Sequence, residues 1–210
     1  MKSYLVSIPA ILRWTQPRSL WRVHGSGNTV YLTFDDGPTP GITDALLEML
    51  RAKEVPATFF CRGEQVEKFP GTYRRITENG HALGNHTWSH LNGWKTSTDM
   101  YLQDVQRCAG VVDSTLFRPP YGRLKRAQRK QLENHFQVVM WDVMPGDFDP
   151  SIPASVCTRN AVTRAVPGSI IVFHDNDRAG PKMLSILPDV IDQLRARNFK
   201  FGKLVPPIIG

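Results

Sequence analysis

Hydrophobic and polar positions divide the chain into two alternating kinds of segment. Short apolar runs rich in β-branched residues are followed by longer stretches in which apolar residues recur every three or four positions. This alternation of strands and helices is typical of an α/β domain with a parallel sheet. The predicted strands lie at 29–34, 57–61, 81–84, 116–118, 137–142, 169–174 and 200–204. The predicted helices lie at 41–53, 70–79, 97–113, 124–134, 153–165 and 188–197.

Polar and titratable residues follow five of the predicted strands, at the point where each strand ends. These residues are Asp35 and Asp36, His86, Arg118, Asp142 and His174. Because the carboxyl ends of parallel strands meet at one face, we expect these side chains to converge on a single site. About seven strand–helix units are few for a complete eight-unit barrel. The pattern therefore predicts a distorted, incomplete (β/α) barrel.

Length and composition indicate one globular domain preceded by an arm. The chain has 210 residues, of which 41% are hydrophobic and 21% are charged, and no apolar run approaches the roughly 18 residues of a membrane span. We expect an N-terminal arm at 1–28 and a catalytic domain at 29–210. In the arm, the apolar stretch 4–12 ends at Arg13 and precedes Trp14.

This arm does not resemble an export signal, because its apolar stretch is interrupted and no cleavage site of small residues follows. Its mixture of aromatics and arginines suits a peripheral membrane contact, although an arm that packs on the domain explains it equally well. We therefore expect a cytoplasmic or membrane-peripheral location rather than secretion.

Net charge and cysteine content limit which partners the chain can bind and which cysteine-based sites it can form. The formal net charge is +7, which attracts polyanions, but no RNA-binding signature accompanies it, so we expect no nucleic-acid partner. Cys61, Cys108 and Cys157 are odd in number and widely spaced. This spacing argues against a disulfide framework or a thiolate metal site and predicts buried, reduced thiols.

Two short segments offer the ligands of a catalytic metal. Asp35 and Asp36 are adjacent on the turn that leaves the first strand, so their side chains diverge and one carboxylate can bind a metal while the other stays free as a base. His86 and His90 are four residues apart and can share one ion. Together with Asp36 they form a two-histidine, one-carboxylate set that suits zinc and equally non-haem iron(II).

Two further segments carry groups that could assist the chemistry. Prolines fix the backbone after Arg118, so that its guanidinium could orient Asp35 while the amide of Tyr121 faces an oxyanion. His174 ends a buried strand and could act as a general acid. On composition alone it could equally be a structural histidine bonded to Asp175.

In combination, T-F-D-D-G-P at 33–38, N-H-T-x-x-H at 85–90 and R-P-P-Y-G at 118–122 resemble the motifs of the polysaccharide deacetylase family, the carbohydrate esterases with a NodB homology domain. The resemblance covers roughly residues 29–205. It implies a metal-dependent hydrolase that removes acetyl groups from an N-acetylated amino-sugar glycan or glycolipid. The metal implied is most often Zn²⁺, with Co²⁺, Ni²⁺ and Mn²⁺ as alternatives.

The resemblance also implies a role for each matching residue. Asp35 would be the catalytic base, Asp36, His86 and His90 the metal ligands, Arg118 the residue that orients the base, the Tyr121 amide the oxyanion donor, and His174 the catalytic acid. The expected substrate pocket comprises Pro119, Trp141, Asp147 and Phe148.

One segment departs from the family pattern. Where relatives have Asp-x-x-Asp-Trp, this chain has Met144 for the first acid, keeps Asp147 as the second and has Phe148 for the tryptophan. The first acid normally partners the catalytic histidine, so we expect His174 to have a lower pKa, with Asp142, Asp147 or Asp149 as candidate substitutes. The departure keeps a non-catalytic glycan-binding derivative open as an alternative function, beside the non-haem iron enzyme.

Overall fold

A computed structural model describes residues 18–206, which form a curled sheet of seven parallel strands surrounded by helices. The strands are β1 Thr29–Asp35, β2 Thr58–Cys61, β3 Ala82–Asn85, β4 Leu116–Phe117, β5 Gln137–Val138, β6 Ile170–His174 and β7 Lys200–Gly202. The α-helices are α1 Ile42–Ala52, α2 Gly63–Lys68, α3 Pro70–Glu78, α4 Thr98–Ala109, α5 Arg126–Leu132, α6 Ala154–Arg164 and α7 Gly180–Ala196. The predicted distorted, incomplete barrel is thereby confirmed.

The strand order is β5-β4-β3-β2-β1-β6, and β7 pairs with the first residues of β1. Successive side chains of a strand point to opposite faces of the sheet. Val30, Leu32 and Phe34 of β1 therefore enter the core beneath the helices. The alternate residues Thr33 and Asp35 face the same side as their partners on β6, and Asp35 lies in register with His174.

The sheet closes at a seam between β5 and β6, where an N-terminal segment is inserted. Leu20 bridges Val139, and Arg22 bridges Ser169. The chain after β5 then crosses over, so that the Asp142 amide donates to the Ile170 carbonyl at 2.9 Å. This crossing explains why the strand predicted at 137–142 ends at Val138.

Residues 20–23 of the predicted arm thus contribute to the barrel itself, while the boundary at residue 28 stays a prediction. The predictions for 4–12, Arg13 and Trp14 fall outside the described residues. Within residues 18–206, no helix is both long and apolar enough to cross a membrane.

Two helices differ from the sequence-based expectation. Helix α2 was not predicted because it is short and buries a single large apolar side chain, Val66. Helix α7 begins at Gly180 rather than at 188, because Pro181 occupies the first turn, where its missing N–H is not needed. Pro188 lies inside the helix instead of starting it. Cys61, Cys108 and Cys157 are buried and unpaired, as predicted.

Candidate active site

Three predicted ligands meet at the carboxyl ends of β1 and β3. The ligand atoms of Asp36, His86 and His90 all lie within 4.8 Å of one another. Oδ1 of Asp36 is 3.0 Å from Nε2 of His90 and 3.5 Å from Nε2 of His86. Burial alone would raise the pKa of Asp36, but the contacts with the two imidazoles hold it well below its usual range, so the carboxylate is charged.

The hydrogen bonds around this cluster orient its ligand atoms. Nδ1 of His86 lies 2.8 Å from the Arg118 carbonyl. Because a carbonyl can only accept, Nδ1 donates this hydrogen bond, and Nε2 is the ring nitrogen that faces Asp36. Oδ1 of Asp36 is buried and has no hydrogen-bond partner within the described residues. A buried carboxylate oxygen beside two imidazole nitrogens matches the donor set of a divalent cation.

The loops that carry the cluster have unusual backbone geometry. Asp36, Thr87, His90 and Tyr121 all have positive φ, between 60° and 86°, although none is glycine. Each such residue stores about 1–3 kcal/mol of strain, and such residues cluster at functional sites. Four of the six non-glycine residues with positive φ in residues 18–206 are therefore in or beside this cluster.

Asp35 is held by a fully buried arginine. Nη1 of Arg118 donates to Oδ1 of Asp35 at 2.6 Å and to the Thr33 hydroxyl at 2.8 Å. Its other donors reach the Val139 and Met140 carbonyls, and its plane lies over a phenylalanine ring of β2, 4.0 Å from the centroid. Arg118 thus has a fixed direction, as the two prolines after it led us to expect.

His174 has a carboxylate partner, and it is Asp147. Nδ1 of His174 lies 3.1 Å from Oδ1 of Asp147, whose other oxygen accepts from the His174 amide at 2.7 Å. Burial acts to lower the pKa of His174, but the Asp147 charge outweighs it and raises this pKa to about 10. The expectation of a lowered pKa was therefore wrong, because the loop after β5 brings the retained second acid to the histidine.

The other candidates for this role have different partners. Asp142 pairs with Arg22 at the seam, and Asp149 accepts hydrogen bonds from Ser151. Asp175, the alternative partner of a structural histidine, instead accepts from the Gly37 amide at 2.9 Å. A Cβ at position 37 would overlap the Asp175 carboxylate, so this close approach requires glycine.

The predicted pocket residues surround these groups. The Phe148 ring is edge-on to His174, with centroids 5.3 Å apart. Pro119 is buried and accepts from the Gly122 amide at the Arg118 turn. Trp141 lies beneath the same turn, since a Cβ at Gly122 would come within 2.8 Å of its indole. Their contact with a substrate stays a prediction, and so does the role of the Tyr121 amide.

Several supporting contacts were not predicted from the sequence. Asn176 donates to Oδ2 of Asp36 at 2.6 Å, and the Tyr121 hydroxyl lies 3.1 Å from Nδ1 of His90. Asp104 of α4 accepts hydrogen bonds from the Trp88 and Ser89 amides and so shapes the turn between the two histidines. The sequence signal for Asn176 was its place directly after the His174 strand end.

Comparisons with known proteins agree with this geometry. The family profile described as polysaccharide deacetylase matches residues 22–138. A peptidoglycan-N-acetylglucosamine deacetylase of Bacillus cereus is 36% identical over 83% of this chain and 66% of its own length. A chitooligosaccharide deacetylase of Azorhizobium caulinodans is 32% identical over 87% of this chain and 96% of its own.

A solved structure is similar over almost the whole chain. The Bc1960 peptidoglycan N-acetylglucosamine deacetylase superposes with a TM-score of 0.86 and 31% identity, covering 94% of this chain and 95% of the other. The chain thus matches one relative over nearly all of its length, and spans 66% of the Bacillus cereus relative above.

Proposed function

This chain belongs to the polysaccharide deacetylase family, and we propose that it is a metal-dependent hydrolase that removes N-acetyl groups from an amino-sugar glycan or glycolipid. The observation that carries this proposal is the division of labour between two adjacent carboxylates. Asp36 lies with His86 and His90, whereas Asp35 is turned to Arg118. Hydrolysis needs both arrangements, one for the metal and one for the base.

We propose Zn²⁺ as the metal, with Co²⁺, Ni²⁺ and Mn²⁺ as alternatives, because two imidazoles and one carboxylate with room for further ligands suit a catalytic zinc. Asp36, His86 and His90 would hold it. When bound, the metal would supply Lewis acidity, which acidifies a water molecule and polarises the acetyl carbonyl.

The chain's own residues then move the protons. Asp35 accepts the proton of the attacking water, and Arg118 orients its carboxylate. The Tyr121 amide donates to the oxygen on which negative charge develops. Protonated His174, stabilised by Asp147, gives its proton to the departing amine. The amide C–N bond breaks, and the products are acetate and a free amino sugar.

The same three ligands would also suit non-haem iron(II). An oxygenase, however, gives no task to the Asp35–Arg118 pair or to a histidine held by Asp147. The argument for a glycan-binding derivative without activity rested on Met144, and it loses its basis once Asp147 is the partner of His174.

Acetate release tests the proposal directly. The protein would be incubated with N-acetylglucosamine oligomers and with peptidoglycan, before and after full metal removal by a chelator. We expect acetate release to disappear with the metal and to return when Zn²⁺ is added back. Release that continues in fully metal-free protein, or oxygen consumption in its place, would overturn the proposal.

The location of the protein is a further proposal. We keep the cytoplasmic or membrane-peripheral location and the peripheral membrane contact of the arm as predictions, to be tested by cell fractionation with and without residues 1–17.

A further inference from the structure

One exposed aromatic side chain touches a proposed metal ligand. Tyr121 is 58% exposed, although its hydroxyl lies 3.1 Å from Nδ1 of His90. The two rings meet edge-on, with centroids 4.7 Å apart, and within residues 18–206 the Tyr121 ring meets no other aromatic ring. The proposed hydrolysis uses the amide of Tyr121 and gives no task to its ring or its hydroxyl.

The two ring nitrogens of His90 have different neighbours. Nε2 lies 3.0 Å from Oδ1 of Asp36, inside the cluster, and Nδ1 faces the Tyr121 hydroxyl. A metal binds an imidazole through a lone pair, so a neutral ring that offers Nε2 to a metal carries its hydrogen on Nδ1. The Tyr121 oxygen is the acceptor placed to receive that hydrogen. An outer acceptor of this kind fixes the tautomer and the orientation of a metal-binding histidine.

The other histidine of the cluster obtains the same support from the backbone. Nδ1 of His86 donates to the Arg118 carbonyl at 2.8 Å. The His86 side chain is 3% exposed, whereas that of His90 is 21% exposed. Within residues 18–206 the His90 ring has no hydrogen bond to the backbone. Its support therefore depends on one side-chain hydroxyl.

The residue that supplies this hydroxyl also carries the amide expected to face the oxyanion. The Arg118 amide donates to the Asn85 carbonyl at 2.9 Å, and the two prolines that follow have no N–H. The Gly122 amide donates to the Pro119 carbonyl at 3.0 Å. The amide of Tyr121 is therefore the one that this turn can offer outward.

The backbone of that turn needs support. Tyr121 has φ 60° and ψ 7°, and a residue other than glycine keeps such a conformation only where its surroundings hold it. A side chain that is more than half exposed has few contacts to provide this support. The hydrogen bond and the edge contact with His90 are two that it has.

We propose that Tyr121 is a positioning residue that joins the metal site to the oxyanion turn. Its hydroxyl holds His90 in the orientation that presents Nε2 to the cluster. Its ring, fixed in return by His90, holds the turn that carries the Tyr121 amide. Such a coupling is reciprocal, so metal binding should order the turn by as much free energy as the ordered turn adds to metal binding. The inference rests on the proposed function, but its tests need no turnover.

The first test measures metal affinity in Tyr121→Phe, which keeps the ring and the amide and removes only the hydroxyl. Zn²⁺ binding is measured without substrate, by competition with a chromogenic chelator. We expect the affinity to fall about 10-fold, the lower end of the usual range for outer groups, because His90 is partly exposed and water can replace the hydroxyl in part. Wild-type affinity in this variant would overturn the positioning role.

Tyr101→Phe is the matched control. The Tyr101 ring is also edge-on to an aromatic ring, that of Phe117, with centroids 6.5 Å apart. Its hydroxyl, however, is buried and has no hydrogen-bond partner within the described part of the chain. This variant should keep the wild-type Zn²⁺ affinity, and thermal unfolding of the metal-free proteins checks that both variants are folded. An equal loss of affinity in the two variants would overturn the proposal, because the effect would not depend on contact with His90.

Hydrogen exchange tests the link to the turn. In the wild type we expect Zn²⁺ to slow exchange of the Gly122 and Arg123 amides, which donate hydrogen bonds within the turn. In Tyr121→Phe saturated with Zn²⁺, most of this protection should be lost, and equal protection in both proteins would overturn the link. If Zn²⁺ affinity depends on the hydroxyl as expected but the wild type releases no acetate from any glycan tested, the positioning role stands and the proposed activity fails.

Discussion

Two arginine–aspartate pairs lie against the chain that follows β5, and their carboxylates have different surroundings. Arg118 is fully buried and gives Asp35 one hydrogen bond, at Oδ1, while its other donors go to neutral oxygens. At the seam, Oδ2 of Asp142 accepts two hydrogen bonds from Arg22 and one from Ser169, at 2.6–3.1 Å. Asp35 is therefore oriented through one side-chain donor on one oxygen, whereas three donors converge on one oxygen of Asp142.

This difference separates a catalytic arrangement from a structural one. A base must keep a lone pair for the proton that it removes, and one donor on one oxygen orients Asp35 while leaving acceptor capacity on the carboxylate. Asp35 also lies in register with His174, which completes the chemistry, whereas Asp142 ties the N-terminal segment to the barrel. Residue type and predicted strand-end position are the same for both, so their hydrogen-bond partners and their places in the fold distinguish their roles.

The largest expected effect comes from Asp35→Asn. The amide can still accept from Arg118 but cannot take a proton from water, so we expect acetate release to slow by roughly 10²-fold or more. Metal content should stay that of the wild type, because the ligands are Asp36 and the two histidines. Loss of the metal in this variant would mean that Asp35 and Asp36 have exchanged roles.

Asp142→Asn is the matched control for that experiment. The same chemical change at the seam removes a charge that faces Arg22, so the midpoint of thermal unfolding should fall. The rate of acetate release per folded, metal-loaded molecule should stay within a few-fold of the wild-type rate. A rate loss as large as that of Asp35→Asn would contradict the distinction between the two pairs.

A smaller effect is expected at Asn176, which binds the oxygen of Asp36 that faces away from the two histidines. Its removal in Asn176→Ala should weaken metal binding by about 10–100-fold, as is usual for groups that orient a ligand. The measurement is competition with a chromogenic chelator. Oδ1 of the Asn176 side chain also accepts from the Arg178 and Ala179 amides.

Asn176→Ser separates these two roles, because serine keeps an acceptor for the helix amides but does not reach Asp36. We expect this variant to unfold near the wild-type temperature and still to bind metal weakly. Wild-type metal affinity in both Asn176 variants would show that Asp36 needs no outer support.

A further prediction concerns the pH range of activity. Asp147 helps to raise the pKa of His174 to about 10, so the acid stays protonated into alkaline solution. In Asp147→Asn this pKa should fall by roughly 1–3 units, and the alkaline limb of the pH–rate profile should move to lower pH. A limb that persists unchanged in His174→Ala would belong to another group.

Stability gives a second measure of the same pair. Because the pKa of His174 is higher in the folded state than in the unfolded chain, protonation of this histidine stabilises the fold. The stabilisation is complete below the unfolded pKa near 6.5, and it is lost as pH rises through about 10. The free energy of unfolding of the wild type should therefore fall over that window. In Asp147→Asn the fall should be smaller, and an equal fall would mean that Asp147 does not set this pKa.

Much of the fold followed from local patterns. Short apolar runs predicted all seven strands because most residues of the central strands are buried, and the residues at the strand ends pointed to one site. The missed features depend on distant contacts. Asn176 and Asp36 are 140 positions apart. Their positions after strand ends indicate a shared site, but nothing local to either residue indicates that their side chains meet.

The choice among Asp142, Asp147 and Asp149 stayed open at the level of the sequence for the same reason. Asp142 ends the strand predicted at 137–142, and Asp147 and Asp149 follow it within seven residues. Only the path of the loop shows which of the three reaches His174. That path depends on the crossing of the chain from β5 to β6, which the sequence did not reveal because the run 137–142 looks like one continuous strand. The pKa expectation for His174 was wrong as a consequence.

The smallest expected effect on catalysis is at Arg22, and it tests whether the seam is only structural. Its side chain is 29% exposed while Asp142 is 2% exposed, so Arg22→Met removes the cationic partner of a buried carboxylate and keeps the aliphatic stem packed. We expect the free energy of unfolding to fall by about 1–3 kcal/mol, less than for a fully buried pair because solvent reaches the guanidinium. In the double variant Arg22→Met, Asp142→Asn part of the loss should return, since no charge is then left unpaired. Denaturant unfolding measures the loss in the single variant and its recovery in the double variant, and acetate release per folded molecule should not change in either variant.

A loss of activity in Arg22→Met while the protein stays folded would contradict a purely structural seam. It would show that the seam transmits its geometry through the Val139 and Met140 carbonyls to Arg118, and the two pairs would then act as one unit.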